Sequence, residues 1–233
     1  MAINDITELQ QSQDALREVN KKLHLLTNIT RHDILNQITV LGASLDFIRN
    51  KNEGQLPISD DLARCESAKE SIGCLVAFTR NYERLGVKKP VWQCVGTAIE
   101  TIKQPTNLTV TLDSSLDSIE VYADTMLSNV FSNLFQNAEQ HGGDISRINV
   151  SFHQNGREGI LVVEDDGIGI PADMKEQIFM RGVGKGTGLG LFLCSEILGI
   201  TGISVCETKT AGEGARFELH IPAGVWRNPN QRS

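Results

Sequence analysis

A histidine followed by an acidic residue, His32-Asp33, is the first pair in the chain whose side chains could do chemistry. Imidazole has a pKa of roughly 6.5, so near neutral pH one ring nitrogen is available as a nucleophile, and an adjacent carboxylate can orient and polarise the ring. At about 100° per residue, Asp33 and Asn36 lie within about a third of a helical turn of His32. The apolar residues of this segment cluster on roughly the opposite face, at Ile34, Ile38, Leu41, Leu45 and Ile48. His32 is therefore predicted to face solvent.

Two asparagines four residues apart, Asn133 and Asn137, form a second candidate group. Residues at this spacing share one face of a helix. An amide oxygen is a hard, neutral ligand that suits a Mg²⁺ ion held otherwise by phosphates and waters. The same two amides could instead serve only to hold packed helices together.

Two glycine-containing segments complete the chemistry-bearing set. In Asp165-Asp166-Gly167-Ile168-Gly169, which follows a predicted strand, the glycines let the backbone approach a flat ring closely. The segment from Gly184 to Leu191 opens a helix, so unpaired N–H groups and the helix dipole would face an anion. This second segment is not a Walker A loop, because no Gly-Lys-Ser/Thr stands at the required spacing.

The first third of the chain has helical periodicity. Leu9 to Leu26 follows an a/d heptad pattern that predicts a short coiled coil, and the pattern slips by four residues just before His32. Asn50 to Pro57 is typical of a loop, and Ser59 to Leu85 of a second amphipathic helix. Because a two-helix hairpin has too little core, we expect two copies to form a four-helix bundle.

After the helix-breaking segment Gly86 to Pro90, the pattern changes to mixed helix and strand. We predict helices at Val91 to Lys103 and Thr125 to His141, with a further helix after the glycine-rich segment. Strands are predicted at Leu108–Leu112, Ile119–Tyr122, Ile148–His153, Gly159–Glu164, Ile203–Thr208 and Ala215–Ile221, the middle pair joined as a hairpin across Gln154-Asn155-Gly156. The fold class is therefore α+β, a helical hairpin followed by an α/β sandwich.

Taken in order, four of these segments resemble the sequence boxes of sensor histidine kinases. Ile29 to Gln37 is similar to the H-box, Asn133 to Ala138 to the N-box, Asp165 to Gly169 to the DxGxG box, and Gly184 to Leu191 to the G2 box with its ATP lid. Ile178-Phe179 looks like a vestige of the F-box. The resemblance covers about Ile29 to Pro222 and implies an ATP-binding domain of the GHKL (Bergerat) type.

The resemblance also implies a role for each matching residue. His32 would accept the phosphoryl group, Asp33 would assist it, and Asn36 would position a water molecule for dephosphorylation of a partner. Asn137 would bind Mg²⁺, and Asp165 would accept a hydrogen bond from the adenine amino group of ATP. The remaining nucleotide contacts would come from Asn133, Gly167, Gly169, Lys185, Gly186, Thr187, Gly188, Leu189 and Gly190.

The chain departs from the family pattern at two positions. Gln37 stands where many members have a proline five residues after the histidine, so the usual helix kink is not expected. Gln140 stands where many carry a basic residue that contacts phosphate. We expect Lys185, in a short lid, to supply part of that contact as a point charge.

Composition narrows the class of partner. A net charge of −7 without a basic stripe argues against nucleic acid, because phosphate contacts need clustered Lys and Arg. The five cysteines stand at no metal-ligand spacing and are expected to be reduced and mostly buried. No segment qualifies as a membrane span, which favours a cytoplasmic location.

The expected partners are a second copy of the chain and the receiver domain of a response regulator, which the resemblance implies. A PAS-like sensor domain is expected upstream of Asn4 to Glu8.

Two other readings remain open from the sequence. The first is another GHKL ATPase or a protein serine kinase, although such relatives usually carry a Glu four residues before the metal-binding Asn, where this chain has Asn133. The second is an idle nucleotide-binding dimeric scaffold.

The expected division of the chain is a coiled-coil helix at 1–27, a dimerisation and phosphotransfer domain at 28–86, a hinge at 87–90, an ATP-binding domain at 91–225 and a tail at 226–233.

Overall fold

A computed structural model describes residues 33–51, 59–102, 108–184 and 187–230. The predicted coiled coil at 1–27, His32, most of the predicted loop at 50–57, Lys185 and Gly186 lie outside the described residues. The chain forms two compact units, Met1–Arg84 and Leu85–Ser233. In the described ranges, no helix is long and apolar enough to cross a membrane.

The first unit is a helical hairpin. Helix α1 spans Ile34–Lys51 and packs against helix α2, Ser59–Arg84, which confirms the second predicted helix. Heptad-like spacing buries one stripe of α2, at Cys65, Ala68, Leu75, Phe78 and Tyr82.

Helix α1 distributes its apolar residues differently from the prediction. Ser44 is buried and Leu41 and Ile48 are half-buried, whereas the predicted core residues Ile38 and Leu45 are 50% and 53% exposed. The reason is that, among the described residues, α1 packs against α2 alone, and this contact shields only part of a broad apolar face. The hairpin thus keeps a second apolar face open, which we call the open face and define as Leu35, Ile38, Leu45, Leu62 and Val76.

The second unit begins with a strand where the sequence predicts a helix. Strand β1 occupies Val91–Cys94, and helix α3 only Val95–Glu100. Val91 and Trp92 favour extended backbone, and β1 pairs antiparallel with β3, Glu120–Ala123. This distant pairing overrides the helical pattern read over 91–103.

The main sheet has five strands in the order β2-β4-β5-β7-β6, with β2 parallel to β4 and the other pairs antiparallel. It is therefore a mixed sheet. Two longer helices, α4 and α5, pack against each other and bury an apolar side. The bounds are β2 Thr109–Leu112, α4 Leu127–His141, β4 Arg147–Asn155, β5 Glu158–Asp165, α5 Gly190–Gly199, β6 Ser204–Glu207 and β7 Arg216–Ile221.

Residues assigned to a tail from the sequence belong to a second sheet. Trp226 and Arg227 form β8, which pairs with β3 in the three-stranded sheet β1-β3-β8. The Trp226 ring lies 5.0 Å from that of Phe152. Arg227 pairs with Glu120 at 2.6 Å and lies 4.2 Å over the Trp92 ring. The unit therefore extends beyond residue 225.

The cysteines are free, as expected, but they are less buried than predicted. Cys65 and Cys194 are buried, Cys94 and Cys206 are half-buried, and Cys74 is exposed. The sequence does not reveal this because each strand or helix that carries a cysteine has both a buried and an open side.

We expect a chain that ends at Val225 to be less stable than a chain that ends at Arg227. Loss of β8 removes the Trp226–Phe152 contact and the Arg227 ion pair, which should lower the free energy of unfolding by about 1–3 kcal/mol. Urea denaturation followed by circular dichroism measures this difference. Equal stability of the two truncated chains would show that β8 adds nothing to the unit.

Candidate nucleotide site

Asp165, the last residue of β5, is held in place by backbone groups from two directions. Its carboxylate is buried, and Oδ1 accepts hydrogen bonds from the N–H groups of Gly167 at 2.9 Å and Ala215 at 3.0 Å. Both bonds end on one oxygen, Oδ1. The second oxygen, Oδ2, is the atom that would accept the predicted hydrogen bond from adenine.

The turn after Asp165 fits between two neighbouring segments only because glycines stand at the points of closest approach. A Cβ on Gly167 would lie 2.4 Å from the carbonyl oxygen of Gly142, and one on Gly214 would lie 2.0 Å from the carbonyl oxygen of Asp165. Gly214 also has φ +106°, a backbone conformation that favours glycine. The turn is therefore packed closely against the end of α4 on one side and the loop before β7 on the other.

The two asparagines of α4 differ in their surroundings. The thiol of Cys194 on α5 donates to the carbonyl of Val130 on α4 at 3.8 Å, and a Cβ on Gly190 would lie 3.5 Å from Asn133 Oδ1. Burial raises the pKa of Cys194 to about 12, so this thiol is neutral at physiological pH. Asn133 thus lies against the start of α5, while Asn137 lies half-buried one turn further along the same face.

The glycine-rich segment closes on itself at its base. The N–H of Gly182 donates to the carbonyl of Gly188 at 3.1 Å, and Gly188 has φ +60°. Thr187 is half-buried, and Leu189 precedes α5 without capping it through a side chain. The first N–H groups of α5 therefore lack a side-chain cap, which suits an anion.

Helix α4 brings three of the predicted boxes together. In the middle of α4, Asn133 lies against Gly190, the first residue of α5. Just past the end of α4, the carbonyl of Gly142 accepts a hydrogen bond from the N–H of Ile168 at 2.9 Å. The DxGxG turn and the start of α5 are therefore both anchored to one helix. Asp33 and Asn36 belong to the other compact unit, where Asp33 is half-buried and Asn36 exposed.

Next to Asp165, the acidic residue Asp166 has a structural role. Its carboxylate accepts from the Ser146 hydroxyl at 2.6 Å and from the N–H groups of Ser146 and Arg147 at 2.9 and 3.1 Å. These hydrogen bonds, that of the Ser146 hydroxyl foremost, lower the pKa of Asp166 to about 2. Asp166 fixes the start of β4 to the turn.

Sequence reasoning missed the group that supports the loop before β7. Glu207 is buried, and its Oε1 accepts from the N–H groups of Lys209 and Arg216 at 3.0 and 3.2 Å. Lys175 lies 2.8 Å from Glu207 Oε2. No local signal marks Glu207, whereas the pair Gly212 and Gly214 is a sequence signal that could have pointed to this loop.

The predicted F-box vestige packs into the unit. Ile178 is buried in a short 3₁₀ turn, Gln177–Phe179, and the Phe179 ring meets Phe217 edge-on at 6.3 Å. This contact connects the segment before the lid to β7.

Comparison with known proteins supports the identification of these boxes. Residues 122–225 match the family described as histidine kinase-, DNA gyrase B-, and HSP90-like ATPase. The matched span contains both asparagines, the Asp165 turn and the glycine-rich lid.

Relatives extend the likeness beyond this span. The alginate biosynthesis sensor protein KinB of Pseudomonas aeruginosa is 35% identical over 101 residues, which is 41% of this chain and 17% of KinB. The adaptive-response sensory kinase SasA of Thermosynechococcus vestitus is 24% identical over 94% of this chain and 65% of SasA. The chain thus spans less than two thirds of either relative.

Among solved structures, full-length ShkA in complex with AMPPNP superposes with a TM-score of 0.55. The match covers 87% of this chain and 46% of the ShkA chain at 19% identity. At this level of identity the likeness concerns the fold.

We expect Gly214→Ala to weaken ATP binding by at least about tenfold, equivalent to about 1.4 kcal/mol. The added methyl group would collide with the Asp165 carbonyl and displace the Ala215 N–H from the Asp165 carboxylate. Isothermal titration with ATP measures the effect.

Gly212→Ala is the matched control, because Gly212 also has a positive φ, +92°, but has nothing within 4 Å of its added Cβ. Both variants carry backbone strain of roughly 1–2 kcal/mol, and only Gly214→Ala also disturbs Asp165. Equal ATP affinities for the two variants would remove the close approach at Gly214 from the site.

Proposed function

We propose that this chain, whose residues 122–225 form an ATPase domain of the histidine kinase-, DNA gyrase B- and HSP90-like family, is the catalytic core of a sensor histidine kinase. It would use ATP to phosphorylate His32 and then pass the phosphoryl group to an aspartate of a response regulator. Relatives named as sensor proteins and sensory kinases support this function.

The observation that carries the proposal is the chemistry of Asn133. This residue occupies the position from which a carboxylate would activate water or a hydroxyl group, and its side chain lies against the start of α5. An amide cannot take a proton, so Asn133 cannot act as a general base. The attacking nucleophile must therefore come from elsewhere, and the His32-Asp33 pair supplies one.

In the proposed reaction, Asp165 Oδ2 accepts a hydrogen bond from the adenine amino group. The lid and the first N–H groups of α5 hold the phosphates. Asn137 offers a neutral oxygen ligand for Mg²⁺, and its half-buried position on α4, one turn after Asn133, fits that role. When bound, Mg²⁺ would neutralise phosphate charge. Lys185, Gly186 and Thr187 of the lid would add contacts to the phosphates.

The phosphoryl step needs the neutral form of His32. A ring nitrogen attacks the γ-phosphorus, an N–P bond forms, the bond to the bridging oxygen breaks, and ADP leaves. Asp33 would hold the imidazole in its reactive tautomer and stabilise the positive charge that develops on the ring. Asn36 cannot take a proton, and its amide would instead position water during dephosphorylation of the regulator.

The open face of the hairpin supports a homodimer. Its five apolar residues are each at least half exposed, an arrangement that a second hairpin could cover in a four-helix bundle. We further propose that the core works in the cytoplasm, where ATP and response regulators are available, and receives its signal from an upstream PAS-like domain.

We expect His32→Gln to abolish ATP-dependent phosphorylation and to leave ATP affinity unchanged, because the nucleophile and the nucleotide site belong to different units. Incubation with radiolabelled ATP, followed by acid and base treatment, identifies an acid-labile, base-stable phosphohistidine. His153→Gln, which changes an exposed histidine of β4, is the matched control and should retain the label.

Asp165→Asn, unlike His32→Gln, should lower the affinity for ATP. Its amide oxygen can still accept the two backbone hydrogen bonds, whereas its NH₂ group cannot accept from adenine, so ATP binding should fall while the fold is kept.

For the first prediction, acid-labile label on the His32→Gln variant would exclude His32 as the phosphoacceptor.

We expect Leu45→Glu to convert the dimer to a monomer, since a charge buried in the four-helix bundle would raise the dissociation constant by at least about 100-fold, or ~3 kcal/mol. Val87→Glu is the control, because Val87 is 73% exposed and lies outside the hairpin. Analytical ultracentrifugation of both variants decides the point, and a stable Leu45→Glu dimer would mean that the open face is not the interface.

A further inference from the structure

Three side chains that can bind metals meet on the outer surface of the β6–β7 pair. Cys206 lies directly opposite Glu218 in the antiparallel register, and His220 follows two residues after Glu218. The alternating residues Phe217, Leu219 and Ile221 are buried, so Glu218 and His220 project from the other face of the sheet. We call Cys206, Glu218 and His220 the cross-strand triad.

The ligand atoms of the triad surround a small space. Cys206 Sγ and Glu218 Oε2 each lie 3.5 Å from His220 Nε2, and the ligand atoms of all three residues lie within 4.8 Å of one another. The separation between His220 and Glu218 is longer than the roughly 2.7–3.2 Å of an N–H···O hydrogen bond. The Cys206 thiol and His220 Nε2 can form a weak hydrogen bond at 3.5 Å, which a bound cation would replace.

The spacing agrees with that of ligands around one ion. Zinc bonds of about 2.3 Å to sulfur and about 2.0–2.2 Å to nitrogen and oxygen, set at tetrahedral angles, place neighbouring ligand atoms about 3.4–3.6 Å apart. The two separations from His220 Nε2 fall in this range. A cation could thus be accommodated with small side-chain adjustments.

The donor set selects the class of cation. One thiolate, one imidazole and one carboxylate suit a divalent transition metal such as Zn²⁺, whereas Mg²⁺ and Ca²⁺ prefer oxygen ligands. The thiolate and the carboxylate would together balance a charge of +2. The triad therefore differs in kind from the Mg²⁺ ligand proposed at Asn137.

Neighbouring groups already orient one of the ligands. Glu218 Oε1 accepts from Arg216 Nε at 2.8 Å and from the Thr208 hydroxyl at 3.1 Å, which leaves Oε2 directed towards His220. The Arg216 guanidinium also lies 3.5 Å from Glu164, so its positive charge is shared between two carboxylates. Outer partners of this kind fix the ligands of metal sites.

We propose that Cys206, Glu218 and His220 bind one divalent transition-metal cation of the Zn²⁺ class, with a coordination position left for water. Strand β6 is at the edge of the sheet, and His220 retains 37% of its side-chain exposure, so solvent reaches the site. The ion would join the edge strand β6 to β7. This site is independent of the kinase activity proposed above.

Zinc titration of the full chain tests the proposal. The protein is prepared without a histidine tag, kept reduced by a phosphine, and dialysed against ZnCl₂ in excess Mg²⁺. We expect one bound Zn²⁺ per chain that Cys206→Ser and His220→Gln each weaken by about 100-fold or more, since loss of an outer-shell partner alone costs roughly 10–100-fold. Cobalt substitution should add a thiolate-to-cobalt absorption band that Cys206→Ser removes.

Cys74→Ser and His153→Gln are matched controls, because each removes one exposed residue of the same type away from the triad. Both should bind zinc like the unmodified chain, and circular dichroism checks that every variant is folded. The proposal is overturned if the unmodified chain binds no stoichiometric zinc, or if Cys206→Ser and His220→Gln bind it as tightly as the controls.

Discussion

The nucleotide-binding unit depends on the two hydrogen bonds that end on one oxygen of Asp165. They join three segments: the end of β5, the turn at Gly167 and the end of the loop before β7 at Ala215. Because both donors are backbone groups, the fold itself fixes the carboxylate. A buried carboxylate without such donors would be costly, so the same bonds that position Asp165 also allow it to be buried.

The position of Asp165 explains the residues and contacts of the segments around it. Donation from Ala215 requires the loop before β7 to come so close that only glycine fits at position 214. That loop is held in turn by Glu207, whose buried carboxylate accepts from both of its ends, Lys209 and Arg216. On the other side, the carbonyl of Gly142 ties the turn to α4 through Ile168. A residue on β6 thus helps to fix a carboxylate on β5, although no sequence motif links them.

Local patterns predicted much of this unit and missed contacts made over long distances. The hairpin of β4 and β5, helix α4 and the glycine-rich start of α5 all follow from periodicity and turn residues, and each depends mainly on neighbours in sequence. Strands β1 and β8 were missed because they are defined by pairing with β3, about 30 and 105 residues away. The same limit applies to the cross-strand triad, whose members show no metal-ligand spacing along the chain and meet only through the β6–β7 register.

The separation of nucleophile and nucleotide has a physical consequence for the proposed kinase. One face of α4 carries the amides Asn133 and Asn137, and because an amide cannot take a proton, neither residue can activate water. In the proposed mechanism bound ATP is therefore held without hydrolysis by these residues until His32 arrives from the helical hairpin. The barrier then depends on how often the two units adopt the reactive geometry, because proximity supplies a large part of the rate in phosphoryl transfer. A signal that changes the packing of the hairpin could control the reaction without any change in the nucleotide site.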